Sequence, residues 1–397
     1  MSSKKAPPNW ARLLGGGGGG GAGDAGAGGG GGATVVRVLR EEPLARLWAG
    51  YGSIKSLTVA TTHPGGGASG GPRQLVAKAV DPPRGRADDV GHQRKLASYA
   101  VEAEFYRSCA PRLAALARGL GIPEPPAAAA AAAASAAAAA SWCWVPEPVV
   151  IESEPPAHFL FVLSDLRGAF PQQPHAYDLE EAKVALEWLA SFHAAWWEED
   201  VEGLWEDGCY WHLATRQEEL AQIAGAWGDL KRAASTVDAA LRGGADGGSP
   251  GGGAGGGRFR TLCHGDAKSA NFMFSKDLKS AAAYDFQYVG GGYGAKDVVY
   301  LLISSVDEST LAESEDQLLA HYHGCLLGRL ADLGKRDAAA DYGLALFEAH
   351  YDLALVDYCR FMAGWGWWGA ARHAQRRCRD VLARLPRVLQ AAADALR

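Results

Sequence analysis

Apolar and polar positions repeat with two different periods along this chain, and the change of period divides it. From Leu44 to Ala60 (LARLWAGYGSIKSLTVA) two apolar stretches flank a glycine-containing turn, which predicts strand, turn, strand. Gln74–Val80 (QLVAKAV) reads as a further strand, Leu96–Leu116 has helical spacing, and Val149–Ile151 and Phe159–Leu163 are short strand-like runs. Roughly five strands and one helix predict a small, mostly antiparallel sheet with a helix packed on it. From Asp178 the spacing becomes helical. Asp178 and Glu181 make a capping box, and Leu179, Ala182, Leu186, Leu189, His193 and Trp196 form one apolar stripe. A second helical segment covers about Trp211–Leu241. Phe272–Phe274 and Ala281–Tyr284, separated by the polar Ser275-Lys276-Asp277, predict a β-hairpin. Helical spacing returns over Leu311–Leu330, Arg336–Met362 and Ala370–Leu396, the last two separated by the tryptophan-rich Gly364–Gly369.

Composition adds punctuation. Residues 15–32, the alanine run Ala127–Ala140 and the stretch Gly243–Gly257 are almost wholly Gly or Ala, and bury too little surface to offset their ordering entropy. They predict a disordered tail over residues 1–32, an N-terminal unit over 33–165 carrying the alanine insert, and a C-terminal unit over 166–397 carrying the glycine insert. The alanine run falls short of the roughly 20 strongly apolar residues that span a bilayer. A net charge of -6 gives no basic field for nucleic acid or anionic membrane. The seven scattered cysteines lack a C-x-x-C pair, which fits reduced thiols in a cytoplasmic setting. The opening MSSKKAPPNWARLL has no signal-peptide apolar core; a basic organellar transit segment is the weaker alternative. Oligomeric state is not legible.

The candidate chemistry concentrates between Thr261 and Tyr300. His264-Gly265-Asp266 is followed by Asn271, five residues after the aspartate, and then by Asp285-Phe286-Gln287. The hairpin between them brings Asp266, Asn271 and Asp285 to one place. One carboxylate can take a hydroxyl proton; an Asn oxygen and a second carboxylate are hard ligands suited to Mg²⁺. Those are the parts of a phosphoryl-transfer site. Lys268 stands two residues after Asp266, where a solvated loop charge is the plain alternative. In the N-terminal unit Gly50-Tyr51-Gly52-Ser53 is weak alone, since G-x-G occurs in ordinary hairpins, but it lies one strand ahead of Lys78. Lys78 has apolar neighbours, so a buried ammonium there needs a partner in the following helix, with Glu102 the natural one and Glu104 the competing choice. Asp297 reads as a cap or loop-holding residue, and His193 as a satisfied core histidine.

Taken in order, these pieces resemble the protein-kinase-like superfamily in its small-molecule branch, near choline and aminoglycoside phosphotransferases. SYAVEAEFY, FLFVLSDL, LASFHAAWW, LCHGDAKSANFMF and YDFQYVGGGYGAKDVVYLL are similar to the CHK kinase-like, or ecdysteroid kinase-like, family over about residues 44–305. The resemblance implies a bilobal α+β fold with ATP and Mg²⁺ as cofactors. It assigns Gly50, Gly52 and Ser53 to covering the phosphates, and Lys78 with Glu102 to holding them. Leu163, Ser164 and Leu166 are expected to form a hinge offering backbone groups to adenine. Asp266 is implied as base, with Lys268 beside the transferring group, Asn271 and Asp285 as Mg²⁺ ligands and His264 as scaffold. The expected reaction is phosphoryl transfer to a hydroxyl of a small amphiphilic or cationic metabolite, with Asp352 and Trp367 as candidate acceptor contacts. A protein acceptor fits less well, because no A-P-E sequence follows Asp285. The rivals are a catalytically inactive kinase-fold binding module and a helical protein with chance motifs.

Overall fold

The structure, a computed structural model, describes residues 10–15, 35–47, 50–62, 71–83, 89–124, 142–243 and 257–396. The alanine run, residues 244–256 of the glycine insert and most of the 1–32 tail lie outside them. The chain forms two compact units, Met1–Arg107 with Pro146–Asp165, and Ser108–Val145 with Leu166–Arg397.

The first unit is a five-stranded antiparallel sheet: β1 (Val35–Arg46), β2 (Gly52–Thr62), β3 (Arg73–Val80), β4 (Pro148–Glu154) and β5 (His158–Ser164), in the order β1-β2-β3-β5-β4. The two-residue period of a strand sorts its side chains. Leu57, Val59, Leu75, Ala77, Leu160 and Val162 form one buried face, which Trp10 of the Trp10–Gly15 helix joins. Lys78 and Phe161 are cross-strand partners on the other. β1 begins well before Leu44, where the sequence reading started it. Its charged Arg37, Arg40, Glu41 and Glu42 hide the strand pattern, and such charges suit an edge strand that must not pair further.

The expected single helix over 96–116 is three segments: Val90–Glu104, a π-helical turn Phe105–Cys109, and Ala110–Gly119. The wider turn lets the adjacent Phe105 and Tyr106 both be fully buried, which ordinary helical spacing does not favour.

The second unit is mostly helical. Leu179–Ala195 opens with the predicted Asp178/Glu181 capping box and runs through the core. The stretch read as one helix after Trp211 is broken into Gln217–Gln222 and Gly228–Leu241, with Gly225 at φ +62 between them. Likewise 336–362 divides into Arg336–Asp341 and Leu344–Trp365. The last segment divides into Ala371–Ala383 and Leu385–Asp394, where Pro386 starts the new helix. The predicted hairpin is present as β7 (Phe272–Phe274) paired with β8 (Ala281–Ala283); β6 (Thr261–Cys263) pairs with β9 (Gly290–Gly292). The helices Ala295–Ser305 and Glu308–Asp332 follow. An antiparallel β unit followed by a larger, mainly helical one is the expected α+β, protein-kinase-like architecture. Among the described residues no helix is long and apolar enough to cross a membrane.

Candidate active site

The short strands and the turns at their ends set the geometry in the second unit. β6 ends at Cys263 and the chain turns through Gly265, at φ +83, where a Cβ would lie 2.0 Å from the Tyr288 carbonyl oxygen. Only glycine fits that turn. The turn is held from below by Asp297, fully buried, which accepts from the amides of His264 (2.5 Å) and Gly265 (3.0 Å). His193 Nε2 lies 3.2 Å from the same carboxylate and its Nδ1 2.7 Å from the Tyr322 hydroxyl. Both ring nitrogens are thus engaged, and Asp297 and His193 have the structural roles expected of them.

His264 donates from Nε2 to the Tyr284 carbonyl (3.1 Å) and accepts at Nδ1 from the Asp266 amide (3.3 Å). Burial pushes its pKa down, so the ring is a neutral brace between Asp266 and the end of the hairpin.

Asp266 is the focus. Its carboxylate receives Lys268 Nζ on both oxygens (3.0 and 2.8 Å), Asn271 Nδ2 on Oδ2 (2.9 Å) and the Tyr300 hydroxyl on Oδ1 (3.0 Å). Burial raises its pKa above the usual carboxylate range, Lys268 opposes that, and Asp285 adds to it. Lys268 is therefore an ion-pair partner of Asp266 rather than a loosely solvated charge. Asn271 Nδ2 also donates to the Asp266 carbonyl (2.9 Å), so its amide hydrogens face Asp266 and its oxygen is the group left for a cation. The Asn271 carbonyl accepts from the Tyr284 amide (3.1 Å), which ties the start of β7 to the residue before Asp285. Asp285 has φ +69, a left-handed conformation that costs energy for a non-glycine residue and clusters at functional sites.

Tyr300 was not singled out from the sequence. It stands three residues after Asp297 on the same helix face, and that spacing was the available signal. Its hydroxyl lies 3.2 Å from that of Tyr210, whose ring packs on Tyr288 and Phe361. Tyr358 packs on Tyr300, and its buried hydroxyl has no hydrogen-bond partner among the described residues. Arg216 lies over the rings of Tyr210, Phe361 and Trp365 and pairs with Glu219.

The two residues expected to contact the acceptor, Asp352 and Trp367, are both engaged with other side chains. Asp352 is buried and pairs with Arg377 (3.4 Å) and Arg384 (2.5 Å), in a network that includes Glu315. That arrangement satisfies a buried carboxylate and commits it to structure. Trp367 packs on Trp227 at 5.0 Å between ring centroids.

In the first unit Lys78 Nζ meets both oxygens of Glu102 (3.0 and 2.7 Å), with the Tyr99 and Phe161 rings beneath it. Both charged groups are buried, so the expected partnership is present. Gly52 pairs with Val80, and a Cβ there would lie 2.0 Å from the Ala79 carbonyl oxygen, so sheet packing alone demands this glycine. Gly50, at φ +75, has nothing within 4 Å of an added Cβ and faces open space. Ser53 lies within the β1–β2–β3 ladder. Leu163 pairs with Val76, while the Ser164 amide donates to the Glu147 carbonyl and its hydroxyl accepts from the Glu147 amide. Leu166 begins a turn of the second unit, with its carbonyl accepting from Ala169 and Phe170.

No curated protein matches this sequence. Among solved structures, a microcompartment-associated aminopropanol kinase aligns over 92% of this chain and 94% of its own at 16% identity and TM-score 0.41. An amicoumacin kinase covers 83% and 86% at 12% identity and TM-score 0.42. An ethanolamine kinase of Plasmodium vivax covers 88% and 84% at 10% identity and TM-score 0.38. Likenesses this loose carry nothing about the acceptor. Residues 245–335, the stretch that holds Asp266, Asn271, Asp285 and Asp297, match the model of the ecdysteroid kinase-like family. Over those residues the chain is thus similar to the ecdysteroid kinase-like family.

Proposed function

We propose that the protein transfers the γ-phosphoryl group of ATP to a hydroxyl of a small molecule. The observation that carries this reading is a buried carboxylate, Asp266, held by Lys268, Asn271 and Tyr300, with Asp285 at a strained φ at the end of the adjoining hairpin. Asp266 would take the proton of the acceptor hydroxyl as its oxygen bonds to the γ-phosphorus and ADP departs. Lys78, held in place by Glu102, would offset phosphate charge. The oxygen-rich pair Asn271 and Asp285 fits a hard divalent cation and would hold Mg²⁺. Such an ion supplies charge neutralisation on the phosphate oxygens.

The acceptor wall belongs beside Asp266 rather than at Asp352. Tyr210, partly exposed and backed by the buried rings of Tyr300, Tyr358 and Phe361, would supply a ring face and a hydroxyl, which suit a largely apolar alcohol. Arg216 already covers the Tyr210 and Phe361 faces, so of the two acceptor classes expected, the neutral amphiphilic one is favoured over the cationic one.

The test is a phosphorylation screen of a metabolite extract with labelled ATP, run beside Asp285→Ala. Label should enter an alcohol with wild type and vanish with the variant. Equal transfer by both proteins would remove Asp285 from the reaction. Absence of Mg²⁺-dependent ATP binding to the wild type would end the kinase reading.

A further inference from the structure

A second cluster of ligating side chains lies apart from Asp266, on the helices Leu179–Ala195 and Glu308–Asp332, which pack against each other. His321 and Cys325 are one helical turn apart on the same face, and Glu187 reaches them from the facing helix. Glu187 Oε1 lies 3.2 Å from His321 Nε2, and Cys325 Sγ lies 3.7 Å from the same nitrogen. All three ligand atoms are within 4.8 Å of one another.

A carboxylate oxygen and a thiol sulfur converge on one imidazole nitrogen. A cation at their common centre would use all three lone pairs at once. The spacing suits a tetrahedral ion. With metal distances of about 2.05 Å to nitrogen, about 2.3 Å to sulfur and about 2.0 Å to oxygen, the N···O and N···S edges come to about 3.3 and about 3.6 Å. The observed 3.2 and 3.7 Å agree with these two edges.

The donor set names the ion. Thiolate and imidazole select borderline-soft cations, whereas Mg²⁺ prefers oxygen. Of the seven free cysteines, Cys325 is the one that is not buried, and His321 and Glu187 are also partly exposed, so an ion and a completing water can enter. The buried trio Cys209, Cys263 and Asp297 is a poorer candidate, because Asp297 is committed to the amides of His264 and Gly265 and to His193.

We propose that Glu187, His321 and Cys325 form a structural site for Zn²⁺ or a similar borderline-soft divalent cation, with water as the fourth ligand. The ion would pin together the two helices that also carry His193 and Tyr322, which are joined at 2.7 Å behind the Asp297 carboxylate. This site does not depend on the phosphotransferase reading.

The test uses the full chain, stripped with a chelator and titrated with Co²⁺. One equivalent should produce d–d bands and a sulfur-to-cobalt charge-transfer absorption, both abolished by Zn²⁺ and indifferent to excess Mg²⁺. Cys325→Ser should lose the charge-transfer band. Glu187→Gln, which preserves shape, should keep it with weaker binding. His321→Ala should weaken Zn²⁺ binding by at least the roughly 10–100-fold that loss of an outer-shell partner costs. Asp285→Ala should leave the spectrum unchanged, and metal-free melting curves confirm that each variant is folded. Wild-type protein with no charge-transfer band would overturn the proposal. So would a band that survives in Cys325→Ser, which would place the ion on another cysteine.

Discussion

Tyr300→Phe removes one donor from Asp266 and leaves the ring that packs against Tyr210 and Tyr358. The lost hydrogen bond is 3.0 Å long and ends on a buried carboxylate. A hydrogen bond to a charged group contributes about 1.5–3 kcal/mol. The bond favours the ionised carboxylate, so its loss would raise the Asp266 pKa further. Lys268 and Asn271 stay on the same carboxylate, so the lower end of that energy range is expected. Asp266 already titrates above the ordinary carboxylate range because of burial, with Lys268 opposing and Asp285 reinforcing. The proposed base would work ionised, so a higher pKa moves the acid limb of kcat/KM to higher pH. The variant should lose most activity on the acid side and recover as pH rises. The assay is the pH profile of labelled phosphoryl transfer for wild type and Tyr300→Phe, with Tyr210→Phe as a control whose hydroxyl meets Tyr300 rather than Asp266. A loss that is uniform across pH, with the acid limb unmoved, would refute this reasoning and leave Tyr300 as packing.

Other substitutions test the frame around that site. Lys78→Met strips the cation from Glu102, which is 2% exposed, and should cost about 3–5 kcal/mol in urea unfolding, with Lys78→Met/Glu102→Leu recovering most of it; a loss below about 1 kcal/mol would count against a tightly coupled pair. His350 is fully enclosed, stacked on Tyr293 and bonded to Tyr342, and burial depresses its pKa to about 3. The unfolded chain therefore binds this proton first, so stability is complete above about pH 6.5 and falls toward pH 3 by up to about 1.4 kcal/mol per unit. His350→Gln should flatten that slope in unfolding measured at several pH values, and parallel slopes would sink the assignment. Asp352→Asn should lower the melting temperature through its contacts with Arg377 and Arg384 while the acceptor KM stays constant. A raised KM with an unchanged melting temperature would return Asp352 to the acceptor site.

The proposed catalytic frame was legible because its parts are local in sequence. His264, Asp266 and Asn271 share one loop, Asp285 ends the adjoining hairpin, and hairpin pairing follows from apolar runs across a polar turn. The Lys78–Glu102 pair was legible for a different reason. A charged residue inside an apolar strand must find an opposite charge or stay out of the core. Helix ends were less legible wherever tertiary burial overrode spacing, as at the π turn Phe105–Cys109 and at Gly225.

Sequence alone therefore determined the class of fold, the order of the elements and the chemical types gathered between Thr261 and Asp285, since period, caps and motif spacing are properties of neighbouring residues. Only the tertiary structure decided which distant side chains meet them. It brought Tyr300 and Tyr210 to Asp266, gave Asp297 to the His264–Gly265 turn, and paired Asp352 with arginines. The physical reason is that a helix face is fixed locally but its partner is chosen by packing. Asp352 and Tyr358 lie on one helix, and the neighbours that cover each of them, Arg377 and Arg384 for one and Tyr300 for the other, come from segments that no local pattern connects.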